Sequence, residues 1–292
     1  MKSKIMLLAA ACCAAGCVAG SGSRPDAGNC VDKEPAPQAI RRLLPEAPGE
    51  VAVVLTRLSS GERLYSSNSQ VQMPSASTIK VLILAEIMRQ VEAGNLSLEQ
   101  RVPVPQEAKL ADSIIGCLEQ DNYTLRDLAT MMIIESDNTA TNVLIDLVGM
   151  DSVNKLGSEL GLKATSLQRK MLDWEAVKAG KQNYTSANDL DQLMVAIGER
   201  RLISRNASEE MIRMLNMQKD IESFKRYMPE DLVVAHKSGS LDCLEHETGI
   251  FWVEGNDYVL TVMTRNCTSN ADARDFIGKL SLAVFKAMGG KF

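Results

Sequence analysis

The chain has 292 residues, a formal net charge of -5, 45% hydrophobic residues and 24% charged ones. That length holds one large domain or two small ones with ample core, and the composition is that of an ordinary soluble globular protein. The acidic balance without a long basic run argues against nucleic acid as a partner. With two histidines, His236 and His246, there is little material for a Ser-His-Asp triad or a zinc site, and no metal or organic cofactor is expected.

Lys2 and Lys4 precede the apolar run Ile5–Ala15, which is too short to span a bilayer and reads as a secretory signal. It ends in Ala14-Ala15-Gly16-Cys17, similar to the cleavage box of bacterial lipoproteins, in which the cysteine becomes the lipidated first residue; Cys12 and Cys13 are rival candidates. The expected order is a signal over residues 1–17, a Gly/Ser/Pro-rich tether over 18–37 and a folded domain over 38–292. The mature protein is expected to be exported to the periplasm, touching the membrane only through an anchor at Cys17.

Gln38–Leu44 reads as a short helix, and Val51–Leu58 with Arg63–Ser67 as a β-hairpin. Pro74 and the small residues around it open a helix whose apolar positions Ile79, Leu82, Ile83, Ile87 and Val91 recur at helical spacing up to Gly94. Asp112–Asn122 is loop-like. Thr124-Leu125-Arg126-Asp127 resembles a capping box opening a helix through Ile134, apolar nearly all round and so expected to be the buried helix of its lobe. Helices follow to Val148 and over Asp151–Leu160. Leu162–Thr185 lacks any period, and a loop of that length in a compact domain is usually functional. Helices resume over Ser186–Glu199 and from Ser208 to about Met228. Leu232–Lys237, Thr248–Glu254 and Tyr258–Arg265 read as strands, with a turn at 255–257, and Ala271–Met288 is an amphipathic closing helix. The simplest assembly is an α/β (α+β) fold of two lobes. A five-stranded antiparallel sheet flanked by helices uses residues of about 38–72 and 215–292, and an all-helical lobe uses about 73–214.

Ser77 and Lys80 are three apart in the first turn of a helix, so a hydroxyl and an amine leave one face where free N–H groups favour a developing oxyanion. An unprotonated lysine there can take the serine proton. Ser-x-x-Lys occurs by chance roughly once in a chain of this size, and Ser152-Val153-Asn154-Lys155 also fits, as an ordinary helix start. Two further groups add weight: Ser136-Asp137-Asn138 between buried helices, and Lys237-Ser238-Gly239 at a strand end, where glycine permits close approach and the lysine offers a charge to a carboxylate.

With these three motifs in this order, the chain from about Gln38 to Phe292 resembles the class A β-lactamases and their penicillin-recognising relatives, marked by S-x-x-K, S-D-N and K-T-G. Serine replaces threonine at Ser238. The resemblance implies a two-lobed fold and a small β-lactam substrate. It makes Ser77 the acylated nucleophile, Lys80 its base or relay, and Ser136 the donor toward the leaving nitrogen. Asn138, Lys237 and Ser238 would bind substrate, with the N–H groups of Ser77 and Ser240 as oxyanion hole. The related alternatives are a peptidase of D-Ala-D-Ala peptides or an esterase, and a lipoprotein that binds penicillin-like ligands without turnover; a monomer is expected.

The long loop departs from the family. There class A enzymes carry Arg-x-Glu, followed by Leu-Asn, and that glutamate activates the deacylating water. Here Arg169 fits but Met171 occupies the glutamate position, leaving Asp173 or, reaching further, Glu175 as replacement base. Near the following strand the family often has an arginine; this chain has Glu245-His246-Glu247, with His246 either a donor or a partly exposed strand-edge residue. His236 should face away from Lys237 and takes no role. In an oxidising compartment Cys243 and Cys267 are expected to pair across adjacent strands, leaving Cys117 free or bonded to Cys30.

Overall fold

The computed structural model describes residues 34–291; the expected signal, Cys17 and Cys30 lie outside the described residues. Helix α1 (Ala36–Leu43), opening on Pro35 within the expected tether, leads to the hairpin β1 (Glu50–Arg57) and β2 (Arg63–Ser67). A two-residue strand, β3 (Met73–Pro74), and a 3-10 turn (Ala76–Ile79) deliver the chain to α2 (Lys80–Glu92). Strands β4 (Arg101–Pro103) and β5 (Asn122–Thr124) bracket α3 (Ile114–Cys117), a short helix inside the expected loop. Then come α4 (Leu125–Ile134), α5 (Asn138–Val148) and α6 (Met150–Glu159). The long loop carries α7 (Trp174–Lys178) and closes through β6 (Tyr184–Thr185), paired with β3. After α8 (Ala187–Gly198) and α9 (Arg205–Leu215), strands β7 (Val234–Leu241), β8 (Leu244–Phe251) and β9 (Tyr258–Arg265) precede α10 (Asn270–Ala287).

The five long strands form one antiparallel sheet in the order β2-β1-β9-β8-β7, so both ends of the chain build it, as expected. Its central strands are covered on both faces, and β1 is therefore a near-continuous apolar run. Val51, Val53 and Leu55 face Ile40 and Leu43 of α1 and Phe276, Ile277, Leu280 and Val284 of α10. Ala52 and Val54 face Ala187 and Leu190 of α8. The larger core joins α2, α4, α5, α6, α8 and α9 to Ala235, Ile250 and Val259 of the sheet.

Several elements depart from expectation for physical reasons. The central helix of the helical side is α2, buried at every position from Lys80 to Met88, whereas α4 buries only the stripe Leu125, Leu128, Ala129, Met132 and Ile133. The Thr124–Asp127 capping box at its start is present. Helix α9 stops at Leu215 instead of reaching Met228, because the chain turns there to bury Phe224 edge-on against Phe251, ring centroids 5.3 Å apart. Strand β8 begins earlier than expected: Phe251, not Val253, pairs with Tyr258, and the Asp257 carboxylate accepts from Val253 N–H at 2.8 Å to close a longer turn. The expected Cys243–Cys267 disulfide is absent. The Cys267 N–H donates to the Cys243 carbonyl at 3.0 Å, but both residues are thiols, as is exposed Cys117. Cys243 has φ +53° and its sulfur turns to Asp242 instead. No helix among the described residues is long and apolar enough to cross a membrane.

Tyr258 stacks on Phe251 at 4.8 Å with its hydroxyl wholly buried and without a hydrogen-bond partner. An unsatisfied buried hydroxyl costs about 1–3 kcal/mol. Tyr258→Phe should therefore raise the unfolding free energy, by about 1 kcal/mol in urea titration; a loss of stability would show that the hydroxyl is hydrogen-bonded.

Candidate active site

The segment before Ser77 is held at several points. Ser75 N–H donates to the Asn183 carbonyl at 2.8 Å, and the Thr78 hydroxyl to the Ser75 carbonyl at 2.6 Å. His246, expected as a donor or an exposed strand-edge residue, is fully buried, its Nε2 2.9 Å from the Pro74 carbonyl. Its Nδ1 lies 2.9 Å from the Glu245 carbonyl and 3.2 Å from the Thr264 nitrogen. Burial pushes His246 down to about 4, so the ring is neutral. Beneath lies Gly239 of β7, where a Cβ would stand 3.0 Å from the Ser77 nitrogen. Any side chain there would push the serine away. Ala76, immediately before the serine, has φ +47°, a strained position that the surroundings impose.

Two lysines converge on Ser136, in the turn between α4 and α5. The Lys80 Nζ lies 3.1 Å from the Ser136 hydroxyl, 2.6 Å from its carbonyl and 2.9 Å from Asn138 Oδ1. The Lys237 Nζ lies 3.2 Å from the same hydroxyl and 2.8 Å from the Ser238 carbonyl. Both side chains are fully buried, and among the described residues neither forms a salt bridge. Burial, then the charge of Lys237, holds the Lys80 amine well below the usual lysine range, against the weaker pull of Asp137 and Asp112. Burial lowers Lys237 to about 8, with Glu247 and Asp220 acting the other way.

Asp137 fixes this turn. One carboxylate oxygen caps α5 through Ala140 N–H at 2.8 Å and the other accepts from Ile115 N–H of α3 at 2.9 Å. Asn138 donates to exposed Asp112 at 3.1 Å. Ser77, Asn138 and Ser240 line one cleft, together with Arg169, Met171, Leu172 and Trp174 of the long loop. Ser77 makes no side-chain hydrogen bond among the described residues; its hydroxyl is bonded to neither lysine. Ser238 follows Lys237 on the strand, its hydroxyl 3.3 Å from the Gln218 amide. Buried His236 sits 3.1 Å from Glu247.

The loop is clamped by asparagines that each bond backbone in both directions, a feature the sequence reading missed. Asn142 accepts from Met171 N–H at 2.7 Å and donates to its carbonyl at 3.1 Å; Asn154 does the same at Leu167, with both bonds at 2.8 Å. Asn183 accepts from Gln168 and Arg169 N–H groups and donates to the Arg169 carbonyl at 3.0 Å. The buried Arg169 guanidinium binds neutral oxygens, Gln182 Oε1 at 2.7 Å and the Lys170 carbonyl at 3.0 Å. Also missed was a network behind Ser240. Its hydroxyl donates at 2.8 Å to buried Glu245, which also accepts from Asn270 at 2.7 Å and Arg274 at 3.0 Å. Only the register, Ser240 opposite Glu245, makes that pairing visible.

The two candidate replacement bases are not in the cleft. Asp173 caps α7, accepting from Ala176 N–H at 2.9 Å. Glu175, in the first turn of that helix, has a side chain 84% exposed and paired with Lys178 at 2.8 Å. The helix start turns it to solvent along an i, i+3 row, while the buried Met171 side chain borders the cleft. Among the described residues no group of three His, Cys, Asp or Glu side chains is placed to hold a metal.

This arrangement has relatives. The model of the beta-lactamase enzyme family matches residues 35–288. The chain belongs to that family. It is 27% identical over 261 residues to a beta-lactamase of Streptomyces cellulosae, covering 84% of this chain and 81% of that one. It is 23% identical over 186 residues to beta-lactamase VEB-1 of Pseudomonas aeruginosa, a match spanning 59% of this chain and 61% of VEB-1. The crystal structure of a beta-lactamase from Sphaerobacter thermophilus DSM 20745 superimposes with a TM-score of 0.78 at 28% identity, covering 87% of this chain and 97% of that one.

Within this family member, the exposure of Glu175 has a measurable consequence. Glu175→Gln should change hydrolysis of a chromogenic cephalosporin by less than about twofold, since a solvated ion pair of this kind contributes little; a loss on the order of a hundredfold would restore it as a base.

Proposed function

We propose that this beta-lactamase family member is a serine hydrolase that opens β-lactams through an acyl-enzyme at Ser77. The observation that carries the reading is the pair of buried lysines, 3.1 and 3.2 Å from one Ser136 hydroxyl, beside the cleft that Ser77 lines. Lys80, its amine held well below the usual lysine range by burial, takes the Ser77 proton as Oγ bonds to the lactam carbonyl carbon. The N–H groups of Ser77 and Ser240 receive the oxyanion. As the C–N bond breaks, Ser136 gives its proton to the leaving nitrogen and regains one from Lys80. Lys237, still charged at neutral pH, attracts the substrate carboxylate, with Ser238 beside it, and Asn138 holds the acyl amide. Water then cleaves the ester and frees Ser77. Export and a lipid anchor at Cys17 rest on the N-terminal sequence.

Met171 favours a second reading for the last step. With an apolar side chain bordering the cleft and Glu175 in solvent, no carboxylate from the loop is placed to activate that water. Acylation then outpaces deacylation, as in a peptidase-type relative or a penicillin-holding envelope protein. Mixing the protein with a chromogenic cephalosporin and following intact mass decides. A Ser77 adduct with steady turnover supports the hydrolase, an adduct with one stoichiometric burst supports the holder, and no adduct defeats both. Met171→Glu should shorten the adduct lifetime by at least about a hundredfold, the usual worth of a positioned general base; an unchanged lifetime would mean the water is activated elsewhere.

The acylation rate should also have a defined pH profile. It rises as Lys80 loses its proton, with the acid limb well below the ordinary lysine range, and it falls above about pH 8 as Lys237 loses its charge. Lys237→Arg keeps the cation charged and should abolish the alkaline limb in stopped-flow acylation; an alkaline limb that stays in place would assign it to another group.

A further inference from the structure

Ser240 lines the cleft with Ser77, and its hydroxyl is oriented from behind. Glu245, buried and directly opposite in the register of β7 and β8, holds that hydroxyl at 2.8 Å. The same carboxylate oxygen takes the Asn270 side-chain amide at 2.7 Å and the Arg274 guanidinium at 3.0 Å. Asn270 fixes which way the protons point. Its Oδ1 accepts from Cys243 N–H at 2.9 Å. Its Nδ2 is therefore the end directed at the Leu241 carbonyl, 2.8 Å away, and at Ser240 Oγ, 3.1 Å away. A hydroxyl between an amide N–H and a carboxylate can donate only to the carboxylate. The Ser240 hydrogen is turned inward, and the oxygen it presents to the cleft is an acceptor.

We propose that Glu245 is a positioning residue for substrate selection: acting through Ser240, it makes this point of the cleft accept hydrogen bonds and denies a donor to the substrate carboxylate. This deepens, and rests on, the Ser77 acylation reading. In that reading the carboxylate is drawn along β7 to Lys237, three residues before Ser240. An anion beside Ser240 meets oxygen lone pairs, whereas a neutral group carrying N–H or O–H meets an acceptor. Arg274 of α10 is withheld as well, because its guanidinium is paired with Glu245. Recognition of the carboxylate is left to Lys237, and a neutral donor group is tolerated in its place.

The test compares second-order rates of Ser77 adduct formation, by intact mass, for benzylpenicillin and for the neutral amide made from its ring carboxylate. Glu245→Leu removes the acceptor and frees the Ser240 hydroxyl to donate into the cleft. It should raise the acid-to-amide rate ratio at least about tenfold, the usual worth of a hydrogen bond to a charged group. Adding Ser240→Ala should return the ratio to within about twofold of the native one, since the two changes act on one interaction. Glu245→Gln keeps an oxygen for the same three donors and should give a ratio closer to native than Glu245→Leu does. Ser240→Ala by itself, which does not depend on how the Glu245 variants fold, should keep or raise the ratio. A fall of about tenfold there would show that the hydroxyl already donates to the carboxylate, and would overturn the proposal. A ratio unmoved by Glu245→Leu, or a gain that survives Ser240→Ala, would overturn it too while leaving Ser77 acylation intact. No adduct with either penicillin would overturn the acylation reading and the proposal with it.

Discussion

The site depends on two buried lysine amines sharing one hydroxyl, with no carboxylate of the described residues in bonding distance of either. Lys80 and Lys237 come from opposite sides of the cleft, the first from the start of α2 and the second from β7, and both meet Ser136. A carboxylate 4 Å from Lys80 would stabilise its charged form by about 4 kcal/mol at an effective dielectric of 20, or about three pKa units. That would cancel much of the depression that burial and Lys237 produce. Without such a partner Lys80 stays in surroundings that favour the neutral amine, the state in which a lysine can accept a proton.

The backbone around this cluster is strained and over-determined. Ala76, Ser136 and Leu172 all have positive φ, and all three border the cleft or its lysines. Each such residue costs on the order of 1–3 kcal/mol, so it persists only where neighbours leave no alternative. The neighbours are identifiable. His246 and Asn183 hold the chain before Ser77, Asp137 locks the Ser136 turn to α3, and Asn142 fixes the turn at Leu172. Burial keeps His246 neutral, and its Nε2 lies against the Pro74 carbonyl.

What the sequence made legible follows from which signals are local. β9 and the last helix were readable because alternation and helical periodicity are properties of neighbouring residues, and the Thr124 cap because its partner is three residues away. Lys80, Ser136, Asn138 and Lys237, which meet around one hydroxyl, could be singled out because the spacing within each motif is short. The errors are all non-local. The end of α9 was set by Phe224 reaching the sheet, and the burial of His246 by the strand beneath Pro74. Glu175 was given a reach toward the cleft that its position on α7 denies, since no spacing rule says which way a five-residue helix will face. The Glu245 network behind Ser240 likewise required the register of two strands and a residue from α10.

The loop's construction separates its fold from its chemistry. Asn142 binds both the N–H and the carbonyl of residue 171, Asn154 both of residue 167, and Asn183 the groups at 168 and 169. The loop is thus held by side chains gripping its backbone, and the side chain at 171 is not what fixes its path. Met171 adds apolar contact to the core, but the turn after it is imposed by the clamps. Under such an arrangement the side chain at 171 can be exchanged without the loop being rebuilt. What changes is whether the cleft wall presents an acid or an apolar surface. In this chain it presents the apolar one, continuous with Leu172 and Trp174.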